Sequence, residues 1–182
     1  TNCEYESILA FERAGGRVDN FVFKNLFDGD IEYSIDALKK HIDDSQIIML
    51  PGGFSAGDEP NGSGKFIATV FRSEKIKDAI NEFLYKRDGL MLGICNGFQA
   101  LIKLGLVPFG EIGADGGEEF PPTLTFNAIG RHQSRVVRTK ITSVLSPWFS
   151  KLNTGDIVSV AISHGEGRFV CSEEMYKQLE KN

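Results

Sequence analysis

Leu90-Met-Leu-Gly-Ile-Cys95-Asn-Gly-Phe-Gln99 is the stretch on which the fold turns. Leu90 to Ile94 is a short apolar run, bounded upstream by Gly89, and reads as a buried strand. Asn96 to about Leu104 carries a helical pattern that Gly105 and Pro108 stop. Between the two lies Gly93-x-Cys95-x-Gly97, the cysteine form of the nucleophile elbow. A sharp strand-to-helix turn forces its central residue into a strained backbone conformation. Glycines two positions to either side leave room for that turn. The sulfur then stands at a helix N-terminus, whose partial positive charge suits an anion. The Asn96 N–H is placed to stabilise an oxyanion.

Working outward, Gln46 to Leu50 is a second apolar run. It is closed by Pro51-Gly52-Gly53 and followed by a polar, Gly-rich loop from Phe54 to Gly64. A second strand end belongs at the same edge of a parallel sheet, where open α/β folds bind ligands. Ser73 opens a helix with Ile76, Ile80, Phe83 and Leu84 on one face, ended by Gly89. Nearer the start, a helix is expected from about Cys3 to Ala14, with Thr1 or Asn2 as its cap and Gly15-Gly16 as its stop. Val18 to Phe23 alternates and reads as a strand. Ile35, Leu38 and Ile42 have helical spacing. This βαβα order predicts an α/β fold: an open, mostly parallel sheet with helices on both faces. Beyond Gly110 comes a polar loop from Glu111 to Pro122. Thr123–Asn127, Arg135–Ile141, Ile157–Ile162 and Arg168–Cys171 then read as strands, some of them antiparallel additions to the sheet edge. A last helix is expected from Glu173 to Glu180. No repeat or linker divides the chain, so residues 1–182 are expected to form a single domain.

Composition is that of an ordinary globular protein. The chain has 182 residues, 41% of them hydrophobic, and a net charge of −5. No basic stripe marks a nucleic-acid surface, and no apolar run has the length of a membrane span. The three cysteines, Cys3, Cys95 and Cys171, are odd in number and widely spaced, which suits a reducing, cytoplasmic setting. Three histidines without a C-x-x-C leave little basis for a zinc site. Gly64-Lys65 resembles the end of a phosphate-binding loop. Glu59 and Phe66, however, occupy the first-glycine and Ser/Thr positions, so that pattern fails.

Two further segments bear on chemistry. The glycine N–H groups of Leu50-Pro-Gly-Gly-Phe-Ser-Ala-Gly-Asp58 can complete an oxyanion hole. Ser163-His164-Gly-Glu166-Gly-Arg-Phe169 follows a strand and offers a His-x-Glu pair that could act as base and orienting acid beside a cysteine. His41 is expected to be solvated on its helix. His132 is expected in a loop near the site. The charged helix ends, among them Lys39-Lys40 and Lys86-Arg87, read as solvated faces.

Taken together, these segments resemble the glutaminase domain of the phosphoribosylformylglycinamidine synthases, a class I glutamine amidotransferase with a flavodoxin-like sheet. The resemblance rests on Thr1-Asn-Cys-Glu4, Pro51-Gly-Gly-Phe-Ser55, Gly57-Asp-Glu-Pro60, Gly93-Ile-Cys-Asn-Gly-Phe-Gln99, Phe126-Asn127, Gly130-Arg131 and His164-Gly-Glu-Gly-Arg-Phe169. The 57–65 stretch looks like the long, single-chain type of that enzyme. The resemblance implies that Cys95 attacks the glutamine amide, and that Gly53 or Phe54 forms the oxyanion hole together with Asn96. It implies that Gln99 contacts glutamine, with Asn127, Arg131 and His164 as further pocket residues. Ammonia would pass to a synthetase domain, the partner that uses ATP and Mg; no cofactor is implied in the glutaminase itself, and no nucleic acid or membrane.

Family members carry a strand ahead of the Thr-Asn-Cys-Glu segment and take their base from a later His-Pro-Glu. This sequence contains neither. The fold is therefore expected to be truncated at both ends, and the isolated chain to be inactive unless His164 and Glu166 supply the base pair. The elbow alone also fits another cysteine hydrolase of the same fold, and the missing pieces fit a non-catalytic docking fragment.

Overall fold

The structure is a computed structural model that describes residues 2–53, 64–117 and 121–181. The chain forms two compact units, Thr1–Glu119 and Phe120–Asn182.

In the first unit the elements run α1 (Glu4–Arg13), α2 (Asp30–Asp44), β1 (Ile47–Leu50), α3 (Lys65–Phe71), α4 (Glu74–Tyr85), β2 (Leu90–Gly93), α5 (Asn96–Leu104) and a single turn, α6 (Leu106–Phe109). β1 and β2 pair in parallel, with Leu50 opposite Gly93, so both strands end side by side. The core lies among the helices and these strands. Ile42 of α2, Leu50 of β1, Phe71 of α3, Ile76, Ile80 and Phe83 of α4, and Ala100, Leu101 and Leu104 of α5 form one buried apolar cluster. The α4 face read from the sequence is the face that is buried, except that Leu84 is only half-buried. Each of the Ile, Leu and Phe side chains withdrawn from water contributes on the order of 1.5–3 kcal/mol.

Several local expectations differ from what is found. The residue at the N-cap of α1 is Cys3, and it makes no side-chain cap bond. Ser73 has the extended backbone of an N-cap, yet its hydroxyl donates to the Val70 carbonyl at 2.8 Å rather than capping α4. Val18–Phe23 pairs with no strand among the described residues. The extended chain there is held by side chains instead. Lys24 donates its N–H to Ser34 Oγ at 2.9 Å, and Ser34 donates back to the Lys24 carbonyl at 3.1 Å. Asp19 meets His41 Nδ1 at 2.6 Å, and the His41 ring lies 5.1 Å from that of Phe21. His41 is therefore engaged rather than simply solvated. Arg87 is engaged as well, donating to the carbonyls of Ile42 and Ser45 at the C-terminal end of α2. A guanidinium at that end satisfies carbonyls that have no intrahelical donor and offsets the helix dipole. Lys39 and Lys40 fit the solvated-face reading, pairing with Asp43 and Asp44 one turn on.

Ser34 is 1% exposed, which makes its two bonds testable. Replacing it by Ala leaves both backbone groups of Lys24 without their partner, at an expected cost of about 1–3 kcal/mol. Hydrogen exchange should quicken at the Lys24 amide in S34A. Unchanged protection there would mean that Ser34 does not pin the segment.

The second unit contains β3 (Thr123–Thr125), β4 (Gln133–Lys140), β5 (Ile157–His164), β6 (Arg168–Val170) and α7 (Glu173–Leu179). β3 pairs antiparallel with β6, and β4 with β5. Among the described residues no ladder joins these strands to β1 or β2, so they are not additions to the parallel sheet. Ser172 caps α7 by accepting from the Met175 N–H at 3.1 Å, and Met175 is buried.

Candidate active site

The elbow forms as the sequence requires. Cys95 is an exposed thiol at the N-cap of α5, with φ 54° and ψ −111°. A non-glycine residue in such a conformation carries on the order of 1–3 kcal/mol of strain, which only the surrounding packing can hold. That packing depends on two glycines. A methyl group on Gly93 would lie 2.7 Å from the Gly97 carbonyl and 2.7 Å from Leu101 Cδ1, and one on Gly97 would run into the Leu50 carbonyl. Their hydrogen side chains let the first turn of α5 settle onto the ends of both strands. Backbone bonds fix the turn: Ile94 N–H to the Leu50 carbonyl at 3.1 Å, Gly97 N–H to Ile94 at 3.0 Å, and Gln99 N–H to Cys95 at 3.0 Å.

The loop after β1 comes up against the same thiol. A methyl group on Gly52 would be 3.1 Å from Cys95 Cβ and 3.9 Å from Sγ. Gly53 follows with φ +90°, a conformation that favours glycine, and the Asn2 side chain packs where its Cβ would be. Asn96 is the first residue of α5, so its N–H has no acceptor within the helix. Gln99, four residues after Cys95, lies on the same side of the helix and is 8% exposed. Gly53, Cys95, Asn96 and Gln99 are thus gathered at one strand edge, while Phe54 lies outside the described residues. Gly52 was not singled out in the sequence, although the doubled glycine after an apolar run was the available signal. Substituting Ala there should press on Cys95 Cβ and the Ile94 carbonyl, shifting the turn that presents Sγ without unfolding the unit. Cys95 in G52A is expected to react on the order of tenfold more slowly with a glutamine-like electrophile. An unchanged rate, measured by mass spectrometry over time, would count against Gly52 as the wall of the site.

A second polar cluster lies in the second unit, centred on Asn127, which is 8% exposed. Its amide donates to the carbonyls of Arg131 at 3.0 Å and His164 at 2.8 Å. Its Oδ1 meets His164 Nδ1 at 3.0 Å and accepts from the Gly167 N–H at 3.2 Å. Its own N–H donates to the Gly165 carbonyl at 2.8 Å. His132 Nε2 meets Ser163 Oγ at 3.0 Å alongside. Asn127, Arg131 and His164 are therefore brought together, Arg131 through its backbone. Among the described residues no three His, Cys, Asp or Glu side chains gather as metal ligands. No helix among them is long and apolar enough to cross a membrane.

The profile of the CobB/CobQ-like glutamine amidotransferase domain matches residues 1–182. The chain belongs to this family. Similar curated proteins include the phosphoribosylformylglycinamidine synthase subunit PurQ of Methanococcus maripaludis. It is 37% identical over 181 residues, covering 100% of this chain and 60% of that protein. The PurQ subunit of Dehalococcoides mccartyi is 33% identical over 179 residues, covering 98% and 63%. The solved structure of PurLQS from Thermotoga maritima is similar with a TM-score of 0.66 at 26% identity, covering 96% of this chain and 66% of that one. The α/β fold expected from the elbow is the fold of this glutamine amidotransferase family. The chain spans about three fifths of the length of the first curated relatives it matches.

Proposed function

We propose that residues 1–182 are the glutaminase part of a phosphoribosylformylglycinamidine synthase, with Cys95 as its nucleophile. The observation that carries this reading is the strained, exposed Cys95 at the strand edge, with the Gly52 backbone close enough that a side chain there would press on Cys95 Cβ. In the proposed reaction Sγ attacks the side-chain carbonyl carbon of glutamine. The carbonyl oxygen becomes an oxyanion facing the N–H groups of Asn96 and of Gly53 or Phe54. As the tetrahedral adduct collapses, the C–N bond breaks and the nitrogen leaves as ammonia, taking up the thiol proton. Water then attacks the γ-glutamyl thioester, yielding glutamate and restoring the thiol.

Gln99 is assigned to hold glutamine, with Asn127, Arg131 and His164 as further pocket residues. Cys95 is the one residue assigned to bond making. The partner is a synthetase that uses ATP and Mg to place the ammonia on formylglycinamide ribonucleotide, in the cytoplasm and within de novo purine synthesis. The glutaminase itself is assigned no cofactor. We read Gly57-Asp-Glu-Pro-Asn-Gly-Ser-Gly-Lys65 as the loop of the single-chain type, in which the synthetase is covalently attached, although the similar curated proteins are separate subunits. The intact mass of the natural protein decides between the two. A species near the size of the PurQ subunits would rule out the single-chain arrangement.

The test of the activity is glutamate release by the full-length protein in the presence of its synthetase. Release that depends on Cys95 supports the reading, and release untouched by C95S would end it.

A further inference from the structure

We propose that Asn127 is a positioning residue that locks His164 in the tautomer protonated on Nδ1, so that Nε2 is offered as a hydrogen-bond acceptor to an N–H group of the ligand. The ligand half of this inference rests on the glutamine reading above; the tautomer half does not.

The orientation of the Asn127 amide follows from its neighbours. Two of its contacts are backbone carbonyls, those of Arg131 and His164, and these can only accept. The nitrogen of the amide must therefore face them, and with both its hydrogens used it has none left to give. The third contact is the Gly167 N–H, which can only donate, so the oxygen must face it. Flipping the amide would set an oxygen against two carbonyls and an NH₂ against an N–H. With Oδ1 fixed as acceptor, the His164 Nδ1 at 3.0 Å must carry the proton. In the neutral ring Nε2 then holds a lone pair. Among the described residues Nε2 meets no hydrogen-bonding partner, and the ring is half-buried.

The ring is fixed in place as well as in protonation. A Cβ on Gly167 would overlap it, so the residue at 167 closes on one face of the imidazole. Across the antiparallel pair His164 stands opposite Gln133 at the end of β5. Since Asn127 spends its amide on Arg131, His164 and Gly167, it has little left to offer a ligand directly. Its place in the pocket is to aim His164. An acceptor without donor capacity selects an amine, ammonium or amide N–H and disfavours a carboxylate oxygen.

Long-range ¹⁵N–¹H correlation spectra of the histidine rings in the full-length protein read the tautomer without a variant. The proposal expects His164 Nδ1 protonated and Nε2 bare. N127A should abolish that preference and raise the KM for glutamine about tenfold with kcat nearly unchanged, the loss of one oriented hydrogen bond. N127D should keep Nδ1 protonated, because a carboxylate still accepts there, while loosening the loops whose carbonyls lose their donor. A His164 protonated on Nε2 in the unaltered protein, or a tautomer indifferent to N127A, would overturn the lock. A confirmed lock with an unchanged KM in N127A would overturn the ligand-facing half. Failure of glutamine as substrate shows separately, as no glutamate release by the unaltered protein. Should N127A fold poorly, the unaltered protein and N127D still decide the tautomer.

Discussion

C95A is expected to abolish glutamine-dependent glutamate release, with a fall in kcat of roughly 10⁴-fold or more, the scale seen when a nucleophile is removed. The reason is local. Cys95 is the sulfur that the elbow exposes at the ends of β1 and β2, and Asn96 and Gly53, two of the residues proposed as oxyanion donors, lie at the same strand edge. Without Sγ there is no covalent intermediate, and the proposed donors have no adduct to stabilise. A control separates loss of chemistry from loss of fold. With ammonium salt supplied in place of glutamine, the synthetase should still form amidine in the presence of C95A, because only the source of ammonia has gone. Glutamate release by C95A within tenfold of the unaltered protein would show that the bond is broken elsewhere.

The second large effect is on stability. Phe83 is fully buried, in contact range of Gly89, where any Cβ would strike its ring, and lies 5.6 Å under the Arg87 guanidinium. Phe83→Ala should cost about 3–5 kcal/mol, since it removes a fully buried ring and leaves a cavity that the surrounding core fills only in part. For a chain of this size the melting temperature should drop by roughly 10 °C. The same change should loosen Arg87 from the carbonyls of Ile42 and Ser45, so α2 would fray at its C-terminal end. A drop under 2 °C would mean that the core is not organised around α4.

What the sequence revealed, and what it hid, follows the range of the interactions. The strand, elbow and helix around Cys95 were legible because Gly93, Cys95 and Gly97 encode a turn within a few residues of one another. The α4 face was legible because Ile76, Ile80 and Phe83 repeat with the helix. Val18–Phe23 misled because alternation marks an extended chain, not what it pairs with. Here its fixings come from Ser34 and His41, residues of a later helix. Strands after Gly110 are legible, some of them as antiparallel, but their pattern suggests additions to the sheet edge, and nothing in it states that they pair with each other in a unit of their own. Asn127 was named as a pocket residue from resemblance alone. Its bonds reach His164, 37 positions away, and no spacing rule connects them. Gly167 was the nearest thing to a signal, a glycine in a polar loop whose missing side chain makes room for the ring.

The most direct test of the central claim is to treat the full-length protein with a chloroketone analogue of glutamine and map the modified peptides by mass spectrometry. Sγ of an activated cysteine displaces chloride and leaves a stable thioether. One equivalent on Cys95, prevented by excess glutamine, with Cys3 and Cys171 unmodified, is the predicted result. Equal labelling of all three cysteines, or labelling of Cys95 that glutamine does not protect, would contradict the assignment of this strand edge as a glutamine-binding nucleophile site.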